Sequence, residues 1–190
     1  MKVYCINLKE RADRWAQVQE DLKSLRMPIE RFEAIWDLVG HLGCIKSHLG
    51  VLDMAKDQGI FMVLEDDIKI TGSLADLDKA MNQLPPDWDL LYLGATLLRP
   101  LDRYSENLFK LQAGLTTHAI IYNNQNQVCE YILEHMNGAH VDVFMVQVQK
   151  IFNCYITYPM IMTQFPGDSD TTGDWTDYEE IERTYNKYTK

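Results

Sequence analysis

The chain has 190 residues, 46% apolar and 24% charged, an ordinary balance for a folded domain of somewhat more than average size. Its formal net charge of −10 excludes the basic face of a nucleic-acid-binding domain and the polybasic patch that docks on anionic lipid. Phosphate-bearing small molecules stay open, because a metal ion can bridge carboxylates to phosphate.

In chain order, residues 3–8 predict a short buried strand. Residues 11–27 predict a helix, with Trp15, Val18, Leu22 and Leu25 on one face and Pro28 as its stop. Residues 31–36 predict a second strand. Residues 43–58 predict a helix closed by Gly59. Residues 61–64 are all apolar, as in a strand buried on both faces, and run straight into Glu65-Asp66-Asp67. Ser73 suits the N-cap of a helix reaching 83, which Pro85-Pro86 ends. Strands come next at 90–93 and 119–122. An Asn-rich turn then leads into a helix to 135, followed by a helix over 142–150 and a strand over 153–158. From Gly167 the tail is polar and acidic.

Neither a repeat nor a low-complexity linker divides the chain, so one domain over 1–190 is expected. Alternating strands and helices predict an α/β fold with a mostly parallel central sheet flanked by helices, and such sheets bind ligands beyond their strands' carboxyl ends. Cys5, Cys44, Cys129 and Cys154 are far apart with no CxxC pair, so neither a zinc knuckle nor a thioredoxin-like site is expected. No signal peptide is visible and no apolar stretch is long enough to span a bilayer. The simplest location is the cytoplasm, bacterial or of a viral host.

Five segments carry candidate chemistry. Three consecutive carboxylates at a strand end repel one another, and a hard cation such as Mg²⁺ or Mn²⁺, carrying phosphate oxygens as further ligands, relieves the repulsion; the bland alternative is a solvated acidic loop. Lys9, Arg11 and Arg14 open a helix where amides and guanidinium groups favour phosphate, although an exposed charged face would look the same. No Gly-rich loop accompanies them, so neither a dinucleotide fingerprint nor a P-loop is present. Ser47-His48, early in a helix, suits a ribose or base, or a structural histidine. Asp142 suits an N-cap or a general base. Residues 164–172, QFPGDSDTT, suit a turn.

Taken together, these segments resemble glycosyltransferase family 25. The matching stretches come in the family's order: INLKERADRW (6–15), GCIKSHLGVL (43–52), VLEDD (63–67), WDLLYLG (88–94), THAIIY (117–122), VDVF (141–144), and Ser169-Asp170 after Pro159 and Gln164. Residues 97–112 and those after Gly173 match nothing in the family pattern. The resemblance implies a GT-A fold, a nucleotide-sugar donor with UDP-galactose commonest and UDP-glucose next, Mn²⁺ or Mg²⁺, and inverting transfer to a hydroxyl of a glycan or glycoconjugate, lipopolysaccharide among them. It assigns Asp67 to the metal, Glu65 or Asp66 to the donor or the metal, and Asn7, Leu8, Arg11, Arg14, Ser47 and His48 to the donor. Asp142 is the preferred base and Asp170 the second. Two other classes remain: a nucleotide-sugar-binding domain without activity, and a metal-dependent nucleotidyltransferase. The oligomeric state is left open.

Overall fold

The computed structural model describes residues 1–23, 28–171 and 173–189, and every structural statement concerns these. The first half runs β1 Lys2–Asn7, α1 Ala12–Lys23, β2 Ile29–Glu33, α2 Gly40–Ala55, a 3₁₀ turn Lys56–Gln58, β3 Ile60–Glu65, β4 Ile68–Ile70, α3 Leu74–Met81 and β5 Leu90–Tyr92. Next come short strands β6 Thr96–Leu97, β7 Asp102–Arg103, β8 Leu108–Lys110 and β9 Gly114–Leu115. The chain finishes with β10 Ala119–Asn123, α4 Val128–His135, α5 Val141–Ile151, β11 Cys154–Thr157, β12 Met162–Gln164, β13 Gly167–Asp168, β14 Trp175–Thr176 and α6 Glu179–Tyr188.

The main sheet has the order β2-β1-β3-β10-β5-β11-β8-β7. Its central strands β3, β5 and β10 read as nearly unbroken apolar runs because helices cover both faces there. Alternate side chains go to opposite faces. Tyr4, Phe61, Val63, Tyr92, Ile120 and Ile156 join one core, with α2, α4 and α5. Val3, Cys5, Met62, Leu64, Leu91 and Ile121 join the other, with α1 and α3.

The α/β architecture is as the periodicity predicts, but the sheet is mixed rather than mostly parallel. The β1–β2, β1–β3 and β5–β11 pairings are parallel. The β3–β10, β5–β10, β8–β11 and β7–β8 pairings are antiparallel. Strand β10 inserts between β3 and β5 in the reverse direction, and β8 runs against both β11 and β7.

The second strand ends at Glu33, short of the expected 36, so residues 34–37 form a loop instead. The helix expected over 11–27 is seen over Ala12–Lys23; Leu25 and the rest of 24–27 lie outside the described residues. Gly59 takes φ 73°, the left-handed conformation that glycine adopts freely. Ser73 closes a capping box with Asp76 on α3. The acidic tail, read as plain polar chain, carries the β13–β14 hairpin and α6, whose Ile181, Thr184 and Tyr185 are buried. Among the described residues no helix is long and apolar enough to cross a membrane.

Candidate functional site

The parallel strands β1, β2 and β3 end at one edge, which brings together the segments that leave them. In the β1–β3 register Ile6 lies opposite Glu65, which sets Asn7 beside the acidic turn. Asn7 is buried and donates from Nδ2 to Asp66 Oδ2 at 2.7 Å and to the Arg11 carbonyl at 3.0 Å. Residues 34–37 leave β2, and Ala34 N donates to the Asn7 carbonyl at 3.0 Å. Together with the first turns of α2, these segments surround a cleft whose lining includes Leu8, Arg14, Trp36, His48, Glu65 and Asp67.

The three acidic residues have different surroundings. Asp66 points toward α1, where Arg14 Nη1 donates to its Oδ1 at 2.9 Å; burial raises its carboxyl nonetheless, against the opposing pull of Asn7 and Arg14. Glu65 lies among Thr117, whose hydroxyl donates to Oε1 at 2.8 Å, Gln164 at 3.4 Å, and His48 Nε2 at 3.5 Å. Burial favours its protonated form, but His48 and Thr117 outweigh burial and hold Glu65 below the usual range. Burial likewise disfavours charge on His48, and its neighbours Cys44 and Glu65 outweigh that and raise it.

Asp67 accepts from Gln164 Nε2 at 3.0 Å and from the Tyr178 hydroxyl at 3.5 Å. Its nearest cation, Arg14, is 3.7 Å away and already serves Asp66 and Asp170. Burial, with Glu65 alongside, pushes the Asp67 carboxyl up to about 7. Elsewhere in the cleft Asp37 pairs with Lys46 and Asp170 with Arg11. Asp67 is thus the carboxylate with the weakest compensation in the cleft.

That charge deficit suits a divalent cation. Among the described residues no three His, Cys, Asp or Glu side chains converge as a closed metal cage. A Mg²⁺-type ion needs no such cage, since one or two carboxylates plus phosphate oxygens and water complete its shell. Asp67, with Glu65 next to it, could supply those carboxylates in a pocket that Arg14 lines.

The other expected residues fall in place unequally. Leu8 lines the cleft. Ser47 is buried and fully engaged: its hydroxyl accepts from Ile35 N at 2.8 Å and donates to the Gly43 carbonyl at 2.7 Å. It therefore fixes the loop that carries Trp36. Arg11 donates to Asp13 at 3.2 Å and to Asp170 at 2.8 Å, while Arg14 Nη2 donates to the Asp168 carbonyl at 2.6 Å. The two arginines tie the 168–171 segment across the cleft mouth, where Asp170 and Thr171 also line it. Gly40 makes this approach possible, because a Cβ there would lie 2.4 Å from the Thr171 carbonyl oxygen.

Asp142 lies in an adjoining cleft that shares Glu65, Cys44 and Tyr178 with the first. It is the second residue of α5; the N-cap is His140. Its Oδ1 accepts from Val143 N at 2.8 Å. Asp142 is thus not the N-cap residue itself, but its carboxylate does satisfy a first-turn amide while it lines the cleft.

Sequence reasoning gave Trp36 and Tyr178 no part in the site, and took Thr117 and Gln164 only as members of matching stretches without a role of their own. Trp36 is 65% exposed yet lines the first cleft, and a tryptophan just past a strand end was the available signal. Gln164 sits at the end of β12, which pairs with β4 so that Gln164 lies opposite Ile68. Gly94 permits that placement, since a Cβ there would lie 1.9 Å from the Met162 carbonyl oxygen. Tyr178 left no local signal.

No protein-family model matches the chain, and no curated protein matches it in sequence. Its fold does resemble solved structures. One is a glycosyltransferase involved in the glycosylation of the major capsid of PBCV-1, with TM-score 0.55, 10% identity, and coverage of 96% of this chain and 97% of that one. Another is A197 from STIV, with TM-score 0.53, 8% identity, and coverage of 92% of each chain. At these identities the likeness is one of fold.

Proposed function

We propose that this chain is a metal-dependent, inverting glycosyltransferase of the family 25 type, moving a hexose, galactose ahead of glucose, from a UDP-sugar to a hydroxyl of a glycan or glycoconjugate. The carrying observation is Asp67: a largely covered carboxylate just past the end of a central strand, poor in positive charge, in the cleft that Trp36 also lines, with its neighbour Glu65 lining both that cleft and the one with Asp142. The fold likeness to a glycosyltransferase supports the reading. The setting would be the cytoplasm.

In this reading the first cleft takes the nucleoside diphosphate. Trp36 offers a face for the base, and Arg14 is the cation nearest the diphosphate. Asn7 and Ser47 act through what they hold, Asn7 through Asp66 and Ser47 through the Trp36 loop. Asp67 and Glu65 would hold a Mn²⁺ or Mg²⁺ ion, which when bound neutralises charge on the diphosphate and improves it as a leaving group. The acceptor oxygen attacks the anomeric carbon from the face opposite the diphosphate. The new C–O bond forms as the bond to diphosphate breaks, UDP leaves with the electron pair, and the hydroxyl proton passes to a carboxylate. Asp142, which lines the adjoining cleft together with Glu65, takes that role in this reading. Asp170, held by Arg11 and Arg14, fits a strap over the donor better than a base.

A panel of UDP-, GDP- and dTDP-sugars with Mn²⁺, scored by release of nucleoside diphosphate, tests the proposal. Release of UDP from UDP-galactose or UDP-glucose is expected. Pyrophosphate release would replace it with nucleotidyl transfer, and tight UDP binding without turnover of any donor would replace it with a binding domain.

A further inference from the structure

The adjoining cleft is unfinished in a way that describes its ligand. Gln164 is 5% exposed, and its amide stands between two carboxylates. Carboxylates accept, so the NH₂ must face them. The amide oxygen is then turned away, buried, with no hydrogen-bond partner. The Thr116 hydroxyl is also buried without a partner, and Thr116 sits at φ 68°, a left-handed conformation that β-branched residues seldom adopt. Both residues line this cleft. Buried polar atoms in a folded protein are normally paired, and backbone strain of this kind gathers where a ligand is clamped.

Two further features narrow the ligand. The charged side chains lining this cleft are Glu65 and Asp142, and among the described residues neither Lys nor Arg lines it. On the Asp142 side a carboxylate- or phosphate-bearing ligand would meet like charge with neither Lys nor Arg to offset it, while the ion proposed at Asp67 and Glu65 would be engaged by the donor diphosphate. On another wall the rings of His41 and His140 stack, with centroids 4.8 Å apart and planes at 24°. Flat ring pairs suit the C–H face of a pyranose.

Resting on the reading of the first cleft as the donor site, we propose that this second cleft is the acceptor site and takes a neutral sugar ring. Sugar hydroxyls would donate to the Gln164 amide oxygen and bond with the Thr116 hydroxyl. The ring would lie against His41 and His140, with the attacking hydroxyl toward Asp142. Uronates and sugar phosphates would be rejected.

Saturation-transfer NMR on the full chain tests this, using methyl hexosides and the matching methyl hexuronates, with and without UDP and Mn²⁺. Signal on the hexoside ring protons is expected, with at least tenfold weaker binding of the hexuronates. His140→Ala, at an exposed position, and Thr116→Gly, which the left-handed backbone accommodates, should each weaken hexoside binding about tenfold while leaving the melting temperature in place. Equal binding of hexuronates, hexoside signal that both variants leave unchanged, or no hexoside signal under either condition would overturn the proposal. A UDP titration in the same samples reports on the donor cleft separately, so failure of the donor reading shows as absent UDP binding whatever the sugars do.

Discussion

Replacing Asp67 by Asn tests the electrostatic reading of the site without removing its packing. The amide keeps the carboxylate's shape and can still accept from Gln164 while donating to the Tyr178 hydroxyl, the two bonds Asp67 now accepts. Burial and Glu65 raise the Asp67 carboxyl from 3.8 to about 7. A raised pKa means the folded chain holds this proton more tightly than the unfolded chain. The stabilisation it brings is complete below pH 3.8 and is lost as pH rises through about 7. The full span corresponds to roughly 4 kcal/mol, since each tenfold change in proton affinity is about 1.4 kcal/mol. The metal-free wild type should therefore lose stability relative to Asp67→Asn between pH 4 and pH 8, by up to about 10 °C in melting temperature for a chain of this size. Saturating Mn²⁺ at pH 8 should return most of that loss to the wild type and little to the variant. Thermal melts across this pH range, with EDTA and with Mn²⁺, make the measurement. Parallel melting curves for the two proteins in EDTA would refute the claim that Asp67 sits in a field short of positive charge.

Arg14→Met should cost roughly 2–3 kcal/mol in a denaturant melt, because it leaves Asp66 buried without its guanidinium partner, and should weaken UDP binding at least tenfold by titration calorimetry. Trp36→Ala should leave stability within about 0.5 kcal/mol, the side chain being 65% exposed, yet weaken UDP about tenfold if the ring stacks on the base; an unchanged UDP affinity would remove Trp36 from the site. Gly40→Ala puts a methyl group 2.4 Å from the Thr171 carbonyl oxygen, so limited proteolysis should cut the 168–176 segment faster while the melting temperature barely moves. Asp142→Asn should slow sugar transfer by about 10²–10⁴ with UDP affinity intact, and a variant that transfers at the full rate would exclude Asp142 as the base.

Period and order made part of the fold legible in the sequence. Residues 61–64 read as a doubly buried strand, since a short run of four apolar residues leaves no solvent face, and Glu65-Asp66-Asp67 then read as a strand end, as the structure has it. The reversed β10 was not legible: Ala119–Asn123 reads the same in either direction, and its orientation is set by its pairing with β3 and β5. Helix α6 was legible and overlooked, because Ile181, Tyr185 and Tyr188 keep helical spacing beneath a run of acidic residues that suggested loop. Gln164 and Tyr178 reach the site only through the β4–β12 pairing and the fold-back of the tail, contacts about 100 residues long in sequence that no local pattern records.

The acidic triplet shows where adjacency in sequence stops informing chemistry. Glu65 is the last residue of β3 and Asp66-Asp67 form the turn into β4, so three like charges in a row meet three different environments. Glu65 faces His48 and Thr117 and is held ionised; Asp66 turns back to Asn7 and Arg14 and ties helix α1 to the strand edge. Of the three, Asp67 is the one left largely covered beside a like charge with a distant, shared guanidinium. In the proposed reading the cation answers to Asp67 rather than to the count of carboxylates. Asp66→Asn should accordingly weaken the fold more than it weakens Mn²⁺ binding, and Asp67→Asn the reverse. Melts and Mn²⁺ titrations on the two variants decide it, and similar effects from both would return the triplet to an undivided acidic patch.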